Sequence, residues 1–372
     1  MDHSQESLAA LSNAGVSIWL DDLSRDRLES GSLAELISTS HVVGVTTNPS
    51  IFSAAIANSD KYQTDITAMA ERGASIQEIV TQLTTDDVRH ACDLFMETFT
   101  NTQGQDGRVS IEVDPELAYD TAATVARGKE LWNIVGRPNL LIKVPATVEG
   151  LPAIEELTAE GISVNVTLIF SVDRYRMVID SYLSGLERRV HQNLPLSEIN
   201  SVASFFISRI DTEIDRQLDL SHPGSLLRGK AAIANARLAY EAFLEVNASP
   251  RWAKLAARDA NAQRPLWAST GVKDKAYDST RYVIDLVAPH CVNTMPEATL
   301  NEVRLHGEIT GDSITPHFAE AKSNLISLAA AGIDLVKIVK DLEDDGVAKF
   351  AKAWQELLSN LEGAVTRGKA SN

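Results

Sequence analysis

Three short apolar runs decide the reading of this chain: Val109-Ser-Ile-Glu-Val113, Leu140-Leu-Ile-Lys-Val144 and Ser163-Val-Asn-Val-Thr-Leu168. Each is four to eight residues long and rich in Val, Ile and Leu, the pattern of a strand buried on both faces of a parallel sheet. Helical patterns separate them. Asp114-Pro115-Glu116 reads as an N-cap followed by proline at the first helical position, which predicts a helix running to Gly136. Pro152–Ala159 closes at Gly161, a C-terminal stop signal. Strand and helix therefore alternate, and parallel strands need such crossovers.

The alternation extends both ways. Ser17–Asp21, Val43–Asn48, Val202–Phe206, Leu266–Ser269 and Val292–Thr294 bring the strands to eight, the last being the shortest. No helix fits after Thr39, since His41 leads directly into the next strand. Thr84 with Asp87 reads as a capping box ahead of a helix over Val88–Phe99, and Ser171 caps the helix carrying Tyr175, Val178 and Tyr182. Eight β and α units predict an α/β protein with a closed (β/α)8 TIM barrel rather than an open sheet. Helical inserts are expected at about 54–103 and 210–263, and C-terminal helices at about 316–365. Within the latter, Val347–Leu361 reads as an amphipathic helix packed outside the barrel. With no linker, low-complexity tract or repeat, one elaborated domain over 1–372 is expected.

Composition narrows the function. The 372 residues carry 34 Lys and Arg against 51 Asp and Glu, a net charge of −17. Nucleic acid and anionic membrane surfaces both require a basic footprint, so neither is an expected partner. Two cysteines, Cys92 and Cys291, build no disulfide framework. Residues 1–20 lack a signal-peptide pattern, and no apolar run reaches membrane-spanning length. A reduced, cytoplasmic location is expected. The eight histidines show no metal-binding spacing, and GxGxxG and GxxxxGK[ST] loops are absent from the sequence, so neither metal nor cofactor is expected. No self-complementary patch distinguishes a monomer from a homodimer.

The chemistry lies in the polar residues that interrupt the apolar strands. Lys143 stands inside Leu141-Ile-Lys-Val-Pro145, sharing a strand face with Leu141. Desolvation disfavours the ammonium and favours the nucleophilic amine, so a lysine near the barrel mouth is a Schiff-base candidate. The competing reading is a strand-end lysine paired with a carboxylate. Ser110 and Glu112 share a face, as do Thr46 and Asn48, Asn165 and Thr167, and Ser204 and Phe206; Asp21 ends the first strand. One buried Asn or Thr is usually just a satisfied hydrogen-bonding group. Five strands carrying such residues near their carboxyl ends converge on one pocket in a barrel. Glu112 would shuttle a proton for loss of water from the carbinolamine, and Asp21 would deprotonate a substrate hydroxyl. Arg209 and Lys273 follow late strands, where barrels often bind phosphate, although either also fits a surface salt bridge.

These segments resemble the transaldolase family. Trp19-Leu-Asp21, Gly44-Val-Thr-Thr-Asn-Pro-Ser-Ile51, Val109–Asp114, Leu141-Ile-Lys-Val-Pro-Ala146, Asn165–Phe170 and Ser204–Arg209 match its strand motifs in order, over roughly residues 17–300. The longer inserts resemble the larger actinobacterial type. The resemblance implies a class I aldolase barrel that moves a dihydroxyacetone unit from sedoheptulose 7-phosphate to glyceraldehyde 3-phosphate, giving erythrose 4-phosphate and fructose 6-phosphate. It implies Lys143 as the Schiff-base residue, Asp21 as acid–base for C–C cleavage, and Glu112 acting through a water. It further implies Asn48 and Asn165 on substrate hydroxyls, with Thr46 and Thr167 in support. Ser204, Arg209 and Ser269 fall at the phosphate end, and Phe206 lines the pocket. The family's Ser-x-Arg on the seventh strand is replaced by Ser269-Thr-Gly-Val-Lys273, with Lys273 the nearest substitute. Two other readings stay open: a fructose-6-phosphate aldolase-like lyase, and a non-catalytic sugar-phosphate-binding barrel.

Overall fold

A computed structural model describes residues 6–370. Its strands are β1 (Ser17–Leu20), β2 (Val42–Val45), β3 (Arg108–Glu112), β4 (Leu140–Pro145), β5 (Val164–Ile169), β6 (Ser201–Phe206), β7 (Arg264–Ala268) and β8 (Val292–Met295). All pair in parallel and in sequence order, and β8 closes on β1. The expected eight-stranded barrel is present, with every strand found within two residues or so of its predicted span, apart from the carboxyl end of β2. Every residue of β4 to β8 is buried, which is why those runs are largely apolar and their polar residues stand out.

Polar side chains plug the amino-terminal end of the barrel. Ser17 Oγ donates to Asp106 (2.9 Å) and accepts from Arg264 Nη1 (2.8 Å), while Arg264 Nη2 donates to Asp106 Oδ1 (2.9 Å). Above them Trp19 lies fully buried against Gly44. A Cβ at position 44 would come within 2.5 Å of the indole, so only glycine admits the ring there. Buried side chains thus fill the lower barrel, leaving the carboxyl ends of the strands as the open mouth.

The helices depart from expectation in four places. Pro115–Leu117 is a single 3-10 turn, and the crossover helix is Thr121–Val135, capped by Asp120 rather than Asp114. It ends at Gly136 in the left-handed region, as predicted. Thr84 and Asp87 lie inside the longer helix Ile76–Leu94, whose capping box is Ser75 with Glu78; Thr84 Oγ1 merely donates back to the Val80 carbonyl. Between β7 and β8 the crossover shrinks to one turn, Arg281–Ile284.

The fourth departure bears on function. The C-terminal helix Leu335–Ala370 does not pack outside the barrel. It contacts β5 and the helices Pro49–Ala57, Gln63–Glu71, Ile76–Leu94 and Ser208–Ser221, bridging the inserts after β2 and β6 across the mouth. Phe350, Trp354, Leu357 and Leu361 recur at helical spacing and are buried on this inward face. No described helix is long and apolar enough to cross a membrane.

Candidate active site

The strand register sets the centre of the site. Glu112 on β3 pairs with Lys143 on β4, which pairs with Asn165 on β5, so three polar residues stand side by side on consecutive strands. Lys143 is 4% exposed; its Nζ donates to the Thr47 carbonyl (3.0 Å) and lies 3.4 Å from Glu112 Oε2. Both readings of this lysine therefore meet in one place. It is buried among apolar strands, and it faces a carboxylate. Phe350 of the C-terminal helix covers it, its ring 5.7 Å from Nζ.

Asp21 follows β1 and accepts a hydrogen bond from Thr46 Oγ1 (2.8 Å), whose oxygen also lies 2.7 Å from Thr294 Oγ1 on β8. Burial raises the Asp21 carboxyl above its ordinary value, opposed by the positive Lys143 and the Thr46 hydroxyl. Burial likewise pushes the Glu112 carboxyl up to about 7, against the pull of Lys143. Two acids with raised proton affinity thus stand near one amine, an arrangement suited to holding and returning protons.

A hydrogen-bonded chain crosses the barrel beside the lysine. Ser204 Oγ donates to Asn165 Oδ1 (2.7 Å), and Asn165 Nδ2 donates to Ser110 Oγ (2.9 Å). This fixes the Asn165 amide and leaves it one further N–H. Thr167 Oγ1 is buried without a hydrogen-bond partner among the described residues. Next to it, Leu168 adopts φ +60° where the β5–β6 register slips, a bulge that re-aims the strand end carrying Phe170. Asn48 caps Pro49–Ala57 by accepting the Ile51 N–H (3.1 Å), so its carbonyl oxygen is committed.

The expected phosphate residues are dispersed along the rim. Phe206 packs on Phe170 with centroids 5.2 Å apart, and the Arg209 guanidinium lies 5.0 Å over the Phe206 ring. Arg209 Nη1 is buried without a hydrogen-bond partner among the described residues, and burial lowers the group's proton affinity against the attraction of Asp345 and Asp21. Ser269 adopts φ +56°, its hydroxyl 3.0 Å from Ser208 Oγ. Lys273 is exposed, folds back over Gly271 near Thr299, and makes no ion pair among the described residues.

Sequence reasoning missed Thr47, Thr294, Asp345, Phe350 and Trp354. Thr294 carried the same signal as Thr46, a hydroxyl at a strand's carboxyl end. The last three had none, because an amphipathic stripe does not say what it packs against.

Fold and site together define a lysine-centred (β/α)8 barrel of the class I aldolase type. The chain belongs to the family described as Transaldolase/Fructose-6-phosphate aldolase, whose sequence model matches residues 18–361. It is 58% identical over 365 residues to the transaldolase of Mycolicibacterium smegmatis, covering 98% of each chain. It is 56% identical over 363 residues to that of Saccharopolyspora erythraea, covering 98% of this chain and 99% of the other. With the Thermobifida fusca transaldolase it shares 54% over 356 residues, 95% of this chain and 97% of that one.

Proposed function

We propose that this enzyme is a transaldolase working through an imine on Lys143. It moves a dihydroxyacetone unit between sugar phosphates in the non-oxidative pentose phosphate pathway, from sedoheptulose 7-phosphate to glyceraldehyde 3-phosphate. The observation that carries the residue assignment is Lys143 buried 3.4 Å from Glu112, beside a second raised acid, Asp21.

Lys143 Nζ adds to the ketose carbonyl, and Glu112 relays the proton that lets the carbinolamine lose water. Asp21 takes the proton from the substrate's C4 hydroxyl. The C3–C4 bond breaks, its electrons pass into the iminium, and the aldose phosphate leaves. The enamine then attacks the acceptor aldehyde, Asp21 returns its proton, and hydrolysis frees the lysine. Asn165 with Thr167, and Asn48 with Thr46, orient the substrate hydroxyls. Arg209 binds the phosphate with Ser269 nearby, Phe206 lines its approach, and Lys273 stands in for the arginine of the family's seventh strand; Ser204, expected at the phosphate end, instead holds the Asn165 amide.

Phe350 over Lys143 favours transfer over a lyase that frees dihydroxyacetone, because the C-terminal helix limits water at the enamine. That helix ties both inserts to the mouth, which supports reading the chain as one elaborated barrel domain. We place the activity in the cytoplasm, in keeping with two buried free thiols. Borohydride reduction in the presence of fructose 6-phosphate, followed by peptide mass spectrometry, tests the assignment. A reduced dihydroxyacetone adduct on Lys143 is expected, and labelling elsewhere or none would overturn it.

A further inference from the structure

Trp354 lies in the C-terminal helix, far in sequence from the strand residues, yet it lines the same small cavity as Glu112. Trp354 is 7% exposed and its Nε1–H has no hydrogen-bond acceptor among the described residues. The Glu112 side chain is 5% exposed, and among the described residues its Oε2 has only Lys143 Nζ, at 3.4 Å, against it. A buried indole N–H without a partner is costly, and so is an underserved carboxylate. The cavity that both residues line offers about 20 Å³ to the centre of a water molecule, enough for one. Of its other polar lining, Arg127 Nε donates to Asp114 (3.0 Å) and Thr84 Oγ1 to the Val80 carbonyl (2.9 Å), while Asn48, whose Oδ1 accepts from Ile51, brings a second amide donor to the cavity.

We propose that Trp354 is a positioning residue for Glu112: its indole N–H, delivered by the C-terminal helix, holds the carboxyl through a single water in this cavity. The inference rests on the assignment of Glu112 as the proton relay of Schiff-base chemistry. A bridging water is nearly as good as a direct hydrogen bond and needs just such a donor–acceptor pair. The helix then does two things at the mouth. Phe350 shelters the amine, and Trp354 fixes the orientation of the acid that serves it.

The test compares the full-length enzyme with two variants. Trp354→Phe removes the donor and part of the ring. Benzothienylalanine placed at position 354 keeps the two-ring shape and exchanges N–H for sulfur, which separates donation from packing. Lys143 and Asp21, the charged neighbours that also set the Glu112 titration, are untouched in both. In both variants kcat for transfer from fructose 6-phosphate should fall about tenfold, with KM changed less than about twofold. The Glu112 carboxyl, followed by NMR of 13C-labelled glutamate and identified with Glu112→Gln, should titrate higher by about half a pH unit or more, since a lost hydrogen bond to the charged form favours the neutral one. Unchanged kcat and Glu112 titration in the benzothienylalanine protein would overturn the proposal, as would a loss confined to Trp354→Phe. If borohydride fails to label Lys143 in the parent, the Schiff-base reading fails instead, while the titration still reports whether Trp354 touches Glu112.

Discussion

Replacing Lys143 by Met removes the one cation that faces both buried acids. At 3.4 Å from Glu112 Oε2, and with the effective dielectric of about 20 that describes protein sites, the lost attraction is about 5 kcal/mol. Both groups are 5% exposed, so salt screens little of it. Each 1.36 kcal/mol moves a pKa by about one. Even half the attraction carries the Glu112 carboxyl from about 7 to about 9. At pH 8 its protonated share should rise from about one-tenth to about nine-tenths. Infrared difference spectra of the protonated carboxyl stretch, assigned with Lys143→Met/Glu112→Gln, measure this directly. Stability follows with a definite sign. A carboxyl that binds its proton more tightly when folded makes the protein lose stability as pH rises from the unfolded value of 4.5 through the folded one. In Lys143→Met that decline should extend to about pH 9. An ionised Glu112 at pH 8 in the variant would refute the electrostatic account of the site.

Gly44→Ala forces a Cβ to within 2.5 Å of the Trp19 ring and should cost about 1–3 kcal/mol, read as a fall in thermal midpoint. Because Trp19 leads into Asp21, kcat should fall too, and Trp19→Phe should restore part of both. Asp106→Ala strands the buried Arg264 at the closed end of the barrel; urea unfolding should show a loss of about 3 kcal/mol or more, with KM unchanged. Lys273→Ala should raise KM for phosphorylated substrates about tenfold while barely changing it for free dihydroxyacetone, and equal effects on both would return Lys273 to the surface.

The strands were legible because a parallel strand buried on both faces has nowhere to place a polar group without a use for it. Lys143, Glu112 and Asn165 stood out on that ground, and the register sets them side by side. Helix starts were harder. Asp114-Pro115 has the chemistry of a cap, but the chain there makes one 3-10 turn and lets Asp120 do the capping. Thr84 could cap or donate back within a helix, and only the extent of Ile76–Leu94 decides between them. The C-terminal helix was misplaced for a deeper reason. Its spacing of Phe350, Trp354, Leu357 and Leu361 records that one face is buried, and burial against the outer wall or across the mouth leaves the same pattern. The phosphate end stayed diffuse because its cations come from loops, whose reach local sequence does not determine.

The helix across the mouth also ties reactivity to chain integrity. Lys143, Glu112 and Asp21 belong to the early strands, whereas their roof is the last described helix in chain order. A nascent or nicked chain lacking that helix would hold an amine and two acids open to bulk water and to any passing aldehyde. A cut in the short turn at 331–334, just ahead of Leu335, would leave shelter and nucleophile on separate pieces of chain, joined only by the packing of Phe350, Trp354, Leu357 and Leu361.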